Sequence, residues 1–191
     1  MPERGGSRVS VSVRFAFLQV FGTAAIWVVL FRFNDWLFGY IELSQVISWV
    51  FVPAAVRLLC VMLFGLSGAL GIWLGALLTN HAFTGPSQSL IVATLSAGGP
   101  VVAMLIGKRW LRISSSLHGI TPAKLFQLSV LAATCNAIPH NFYFWVIGMV
   151  PDPVTGVGPM FVGDLLGTLL VLYALRGLIV VGELLANRRE A

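Results

Sequence analysis

The stretch Trp49-Val-Phe-Val-Pro53-Ala-Ala-Val-Arg57-Leu-Leu-Cys60-Val-Met-Leu-Phe64 is apolar except for one arginine near its middle. An apolar run of this kind reads as a membrane helix, which needs about 20 residues to cross the hydrocarbon core. A guanidinium inside such a run costs several kcal/mol, of order 3 kcal/mol or more, unless it is paired. Arg57 therefore asks for a buried partner.

The rest of the chain agrees with a membrane reading. Of 191 residues, 58% are hydrophobic and only 10% are charged, against roughly a quarter charged in soluble domains. Apolar segments recur from Phe15 to Ala186, so no cleavable leader accounts for them. The net charge of +5 flanks these segments and reads as a record of topology; no nucleic-acid partner is expected. Cys60 and Cys135, the two cysteines, lie within apolar segments and make no disulfide framework or zinc spacing.

Cutting the chain at charges, Gly/Pro pairs and polar clusters gives six spans: Phe15 to Phe31, Val46 to Phe64, Leu66 to Ala82, Ser87 to Ile106, Ala123 to Met149 and Pro159 to Glu183. The fold class expected is an all-α integral membrane protein, a bundle of about six transmembrane helices. Residues 1–191 form one transmembrane domain, with a basic N-terminus over 1–14 and a short tail over 187–191. The second and third spans meet at Gly65-Leu-Ser67 and should form an antiparallel hairpin. With the N-terminus in the cytoplasm, Arg4, Arg8, Arg14, Lys108, Arg109, Arg112, Lys124, Arg188 and Arg189 all fall inside, so both termini are expected there. Arg32 is the exception, beside Asp35, Glu42 and Asp152 on the outer side. Trp36, Tyr40, Trp49, Phe142, Tyr143 and Trp145 suit an outer aromatic belt.

At about 1.5 Å per residue, Arg57 lies roughly 16 Å in from the outer end of span two. Asp164, the acidic residue well inside span six, lies roughly 8 Å from its outer end. An arginine side chain can reach several ångströms along its helix, so an Arg57 to Asp164 ion pair is expected if spans two and six are neighbours. Asn80, His81, Asn136, His140 and Asn141 fall at similar depth. Asn136 and His140 share a helix face, with Pro139 between them freeing a carbonyl. Arg57, Asp164, Asn80, Asn136 and His140 are accordingly the candidate ligand-binding residues, in a polar cavity open to the outer side. The same groups can equally serve packing alone. Gly71 and Gly75, in step with Ser67, read as a close-packing stripe. Gly98-Gly99-Pro100 is expected to break span four, either as a kink or as backbone exposed to a ligand.

Catalytic constellations are absent from the sequence: no P-loop, no dinucleotide fingerprint, no His-Glu-x-x-His and no Gly-x-Ser-x-Gly. The expectation is a protein that is not an enzyme, with no catalytic residues, cofactor or metal.

Four stretches in order carry a family resemblance: Trp49-Val-Phe-Val-Pro53-Ala-Ala-Val with Leu63-Phe64-Gly65; Gly71-Ile-Trp-Leu-Gly75-Ala-Leu-Leu-Thr-Asn80; a fourth span ending in Lys108-Arg109-Trp-Leu; and Phe161-Val-Gly163-Asp164-Leu-Leu-Gly167-Thr-Leu-Leu-Val. Over most of Val46 to Leu172 the chain resembles the first class of membrane-associated sensor (MASE) domain of bacterial signalling proteins. The resemblance implies a multi-pass module of the inner, cytoplasmic membrane of a bacterium, with Trp49, Pro53, Gly75, Asn80, Gly163 and Asp164 at recurring positions. It also implies coupling to a cytoplasmic signalling protein, here without an output domain in the same chain.

The functional expectation is a sensor-like protein that binds a small or anionic ligand in the outer-leaflet pocket and relays to a partner. Membrane lipids and a cytoplasmic or membrane partner are the interactions foreseen. A small transporter or substrate-capturing subunit, and a structural subunit of a membrane assembly, are the alternatives.

Overall fold

The computed structural model describes residues 6–44, 46–80, 85–114 and 120–187. Six α-helices dominate: α1 Gly6–Phe38, α2 Pro53–Phe64, α3 Leu66–Asn80, α4 Pro86–Trp110, α5 Pro122–Val146 and α6 Val157–Asn187. Helices α1, α3, α4, α5 and α6 pack in series in that order, and α2 lies against each of them. The shortest helix is thus the centre of the bundle.

Three helices are long and apolar enough to cross a membrane, over Val13–Phe38, Pro86–Trp110 and Val157–Gly182. Their outward faces carry Phe17, Leu18, Val29, Leu105, Leu170 and Leu178 in exposed positions, a pattern compatible with lipid contact. Helix α5 has the length of α4, 25 residues, but Asn136, His140 and Asn141 dilute its hydropathy.

The second span differs from its expected extent. Helix α2 has 12 residues, about 18 Å, too short to cross alone, because Pro53 takes its first turn. A proline ring clashes with the carbonyl four residues back, which prevents the helix from extending through Val46 to Val52. That segment instead forms a strap. Strand β1 Glu42–Ser44 pairs antiparallel with β2 Ile47–Ser48, after a single 3₁₀ turn at Gly39–Ile41. Arg57 consequently lies only about 6 Å from the start of α2, not roughly 16 Å inside a long span.

Irregular backbone in an apolar setting must find internal partners, and the strap does so. Phe51 N–H donates to Gly163 O of α6 at 3.0 Å, and Val52 N–H donates to Asn34 Oδ1 of α1 at 2.8 Å. The Ser48 hydroxyl donates to Val50 O at 2.8 Å. Gly163 and Gly167 make the groove in which the strap lies: a Cβ at either would fall on the carbonyl oxygen of Ser48 or Phe51.

The chain reverses at Gly65, whose φ of +58° favours glycine, and α3 folds back so that Gly68 sits against the Cys60 backbone. This is the expected hairpin. Gly71 and Gly75 face α1, the first against Thr23 and the second against the Trp27 ring. Trp27 Nε1–H donates to Thr79 Oγ1 at 3.0 Å, completing that contact.

Of the two forms expected for the Gly98-Gly99-Pro100 break, unwound backbone does not occur, since α4 is helical through Pro100. Helix α5 has its own interior proline, Pro139, which removes the amide donor to the Cys135 carbonyl. Gly99 brings α4 to within van der Waals reach of that carbonyl, a Cβ there lying 3.2 Å from Cys135 O. Gly99 therefore serves close approach of α4 and α5, whereas a Cβ at Gly98 would meet open space. Between α5 and α6, Asp152 accepts from Val154 N–H and Thr155 N–H, each at 2.8 Å. The Thr155 hydroxyl bonds the same carboxylate and, with these amides, holds its pKa below the usual aspartate value.

Substituting Gly167→Ala should displace the strap and lower stability by about 1–3 kcal/mol, whereas Gly177→Ala, where a Cβ meets open space, should change it little. Thermal unfolding in detergent compares the two; equal effects would remove the glycine groove as the strap's anchor.

Candidate functional site

The first residues to place are Arg57 and Asp164. Arg57 extends from the start of α2 and Asp164 from the first third of α6, and the two helices pack against each other. Arg57 Nη2–H donates to Asp164 Oδ1 at 2.6 Å. Both are buried, at 5% and 3% exposure, so the pair is shielded from solvent screening.

Each partner has further support. The guanidinium carbon lies 4.9 Å from the Phe51 ring centroid and 5.8 Å from that of Trp27, both within cation–π range. Asn136 Nδ2–H donates to Asp164 Oδ2 at 2.7 Å. That bond fixes the amide orientation, because the reversed amide would set two oxygens against each other. Asn136 Oδ1 then accepts no hydrogen bond among the described residues. Orphan buried acceptors are uncommon, and one beside a cavity is a natural contact for a water or ligand donor.

His140 stands one turn beyond Asn136 on α5. Its Nδ1 is 2.9 Å from Asn136 O and its Nε2 is 3.2 Å from Ser96 Oγ of α4. A carbonyl only accepts, so Nδ1 carries the proton and Nε2 of the neutral ring accepts from the Ser96 hydroxyl. The imidazole thereby ties α4 to α5 with both nitrogens used.

These groups border a cavity of about 100 Å³, partly open, lined among others by Arg57, Asn80, Asn136, His140 and Asp164. The residues expected from sequence are thus brought together in one recess. A second void of about 10 Å³ borders Arg57, Asn136 and Asp164 with Pro100 and Thr168. The larger cavity accommodates several waters or a molecule of a few heavy atoms.

Asn141 does not join them. Its amide donates to Ala137 O at 2.9 Å and to Met160 Sδ at 3.4 Å, with Oδ1 against Gly156, so it packs α5 on α6. His81 lies outside the described residues, as do Arg4, Arg188 and Arg189. Trp36, Tyr40, Trp49, Phe142 and Trp145 are exposed, while Tyr143 is half-buried.

The structure adds Trp27, Asn34, Asp35, Ser48, Phe51 and Ser96 to the lining. Sequence offered a faint signal for Ser96: Pro100, four residues on, withdraws the amide that would bond its carbonyl. Asn34 and Asp35 follow a span end and read as boundary residues. Among the described residues, no cluster of His, Cys, Asp and Glu could hold a metal ion.

Removing one member of the pair leaves an unpaired buried charge, so Arg57→Leu alone should destabilise by about 3–5 kcal/mol. The Arg57→Leu, Asp164→Leu double variant should recover most of that loss. Denaturant unfolding in mild detergent measures both, and additive losses would show that the two charges are not coupled.

The chain matches no protein-family model, no curated protein and no solved structure.

Proposed function

We propose that this is a sensor-like, multi-pass membrane protein that binds a small polar molecule in the recess beside Arg57 and Asp164 and relays its occupancy to a partner protein. One observation carries the reading: a buried ion pair borders a partly open cavity of about 100 Å³ that also contacts Asn136, whose Oδ1 lacks a hydrogen bond among the described residues. A pair serving packing alone gains nothing from an adjacent opening, since a dry apolar fill would stabilise it as well or better. The ordered stretches that resemble the membrane-associated sensor family support the same reading.

In this reading the chain crosses a bacterial cytoplasmic membrane six times with both termini inside, α2 and α3 crossing as short helices within the bundle. The recess then opens outward. Exposed Lys108 and Arg109 at the end of α4, with Trp110 at 76% exposure, lie on the opposite side, where a cytoplasmic partner would meet them. A ligand that prefers one arrangement of α2 and α6 shifts the population of that arrangement. The small void beside the same three side chains and Pro100 favours transport as a second reading, which flux measurements in proteoliposomes separate from sensing.

Ligand screening by thermal shift tests binding: compounds that stabilise the native protein should leave the Arg57→Leu, Asp164→Leu variant unmoved. Equal shifts in both proteins would overturn the site. Topology is tested on a background in which Cys60 and Cys135 are replaced. A membrane-impermeant maleimide added to intact cells should label Asp152→Cys and spare Arg109→Cys; the opposite result would reverse the orientation.

A further inference from the structure

The charge inventory of the recess bears on which small molecule it takes. Among its described lining residues are two carboxylates, Asp164 and Asp35, and one guanidinium, Arg57. Asp164 neutralises Arg57 through the 2.6 Å contact, which leaves the exposed Asp35 carboxylate at the rim as the uncompensated charge of the lining. His140 contributes none in its neutral tautomer, and Arg32 is absent from the lining. An anion entering here would meet a guanidinium whose charge is already balanced and a carboxylate at the entrance.

Hydrogen-bonding capacity points the same way. An ionised carboxylate offers about four lone-pair sites. Asp164 side-chain oxygens receive one bond from Arg57 and one from Asn136. Asn136 Oδ1, on the amide that bonds Asp164 Oδ2, receives none among the described residues. Free lone pairs on Asp164 and Asn136 Oδ1 thus lie next to one another, and a group with several donors and no acceptor satisfies them. The further N–H groups of Arg57 are donors too, so it is the charge of the lining that sets a cation above an anion. Phe31 and Phe144 add aromatic wall to the cavity, and neither is a ring against which the guanidinium is placed. Aromatic faces attract cations.

We propose that the ligand of the recess is a small organic cation of the primary-ammonium class, held by Asn136 Oδ1 and the Asp164 carboxylate and drawn in by Asp35. Asp164 then bridges two cations, Arg57 and the ligand, while Asp35 balances the added charge. The cavity volume of about 100 Å³ restricts the cation to a few heavy atoms. This inference rests on the ligand-binding reading above and narrows it by charge.

Three probes of similar size and different charge decide it: ethylammonium, acetate and acetamide, each titrated at constant ionic strength into the detergent-solubilised full chain and followed by thermal shift and saturation-transfer NMR. Ethylammonium should bind saturably and stabilise, and acetate should not. Asp35→Asn, an exposed change that leaves the buried pair intact, should weaken ethylammonium about threefold. The Arg57→Leu, Asp164→Leu variant should lose its binding. Preference for acetate, or equal binding of acetamide and ethylammonium, would overturn the cation assignment while leaving a ligand site. Binding by none of the three would overturn both the assignment and the site.

Discussion

Everything around the recess is arranged so that one buried salt bridge can exist. Taking a guanidinium and a carboxylate out of water costs several kcal/mol per ion even after relaxation. The Arg57–Asp164 contact offsets this only because neighbours share the load. Phe51 and Trp27 flank the guanidinium, and Asn136 adds a charge-assisted bond to the carboxylate. Those supports come from α1, the strap and α5, while the charges come from α2 and α6. The pair thus holds together elements that are far apart in sequence, and its loss would loosen all of them.

The strap is what makes the geometry attainable. Had Val46 to Val52 been helical, Arg57 would lie deep along a long span, away from the level of Asp164. Pro53 starts α2 late, and the preceding residues lie flat across α6 in the groove left by Gly163 and Gly167. Both charges then sit near the same end of their helices, about 6 Å and 10 Å from the first residues. Asn34 fixes the junction by accepting the Val52 amide, so the end of α1 sets where α2 begins. Each of these residues positions the pair without carrying charge.

Composition made the helical character plain, and the reversal at Gly65 and the Gly71 and Gly75 contacts were legible from spacing. The Arg57–Asp164 contact followed from a simple physical demand, since a charge inside an apolar run must find its opposite. Depth counted along an uninterrupted span misplaced Arg57, because apolar content does not distinguish a helix from an extended strap that borrows its hydrogen bonds from a neighbouring helix. Pro53 was the available sign of that difference. At Gly98-Gly99-Pro100 local propensity disfavours helix, yet the helix continues there with Gly99 packed on α5. Asn141 shares a depth with the recess and not a direction, which periodicity alone does not resolve.

The position of the pair also bears on how occupancy could travel. Helix α6 is buried on one face through Thr168, yet from Tyr173 to Gly182 its residues are exposed on all sides. Its first half is therefore fixed by Asp164 and the strap, while its second half has no packing of its own within the described chain. A rigid helix transmits a tilt at one end to the other, and a change of about 1 Å near Asp164 is enlarged over the roughly 20 Å to the far turn. A molecule that pulled the carboxylate away from Arg57 would act on α2 and α6 together, and α2 touches every other helix. Packed interfaces answer such a load by moving between discrete arrangements instead of deforming smoothly. In the proposed function, the buried charge pair is the element whose two states a small polar molecule would bias, and the exposed half of α6 is the part of the described fold with room to report which state is occupied.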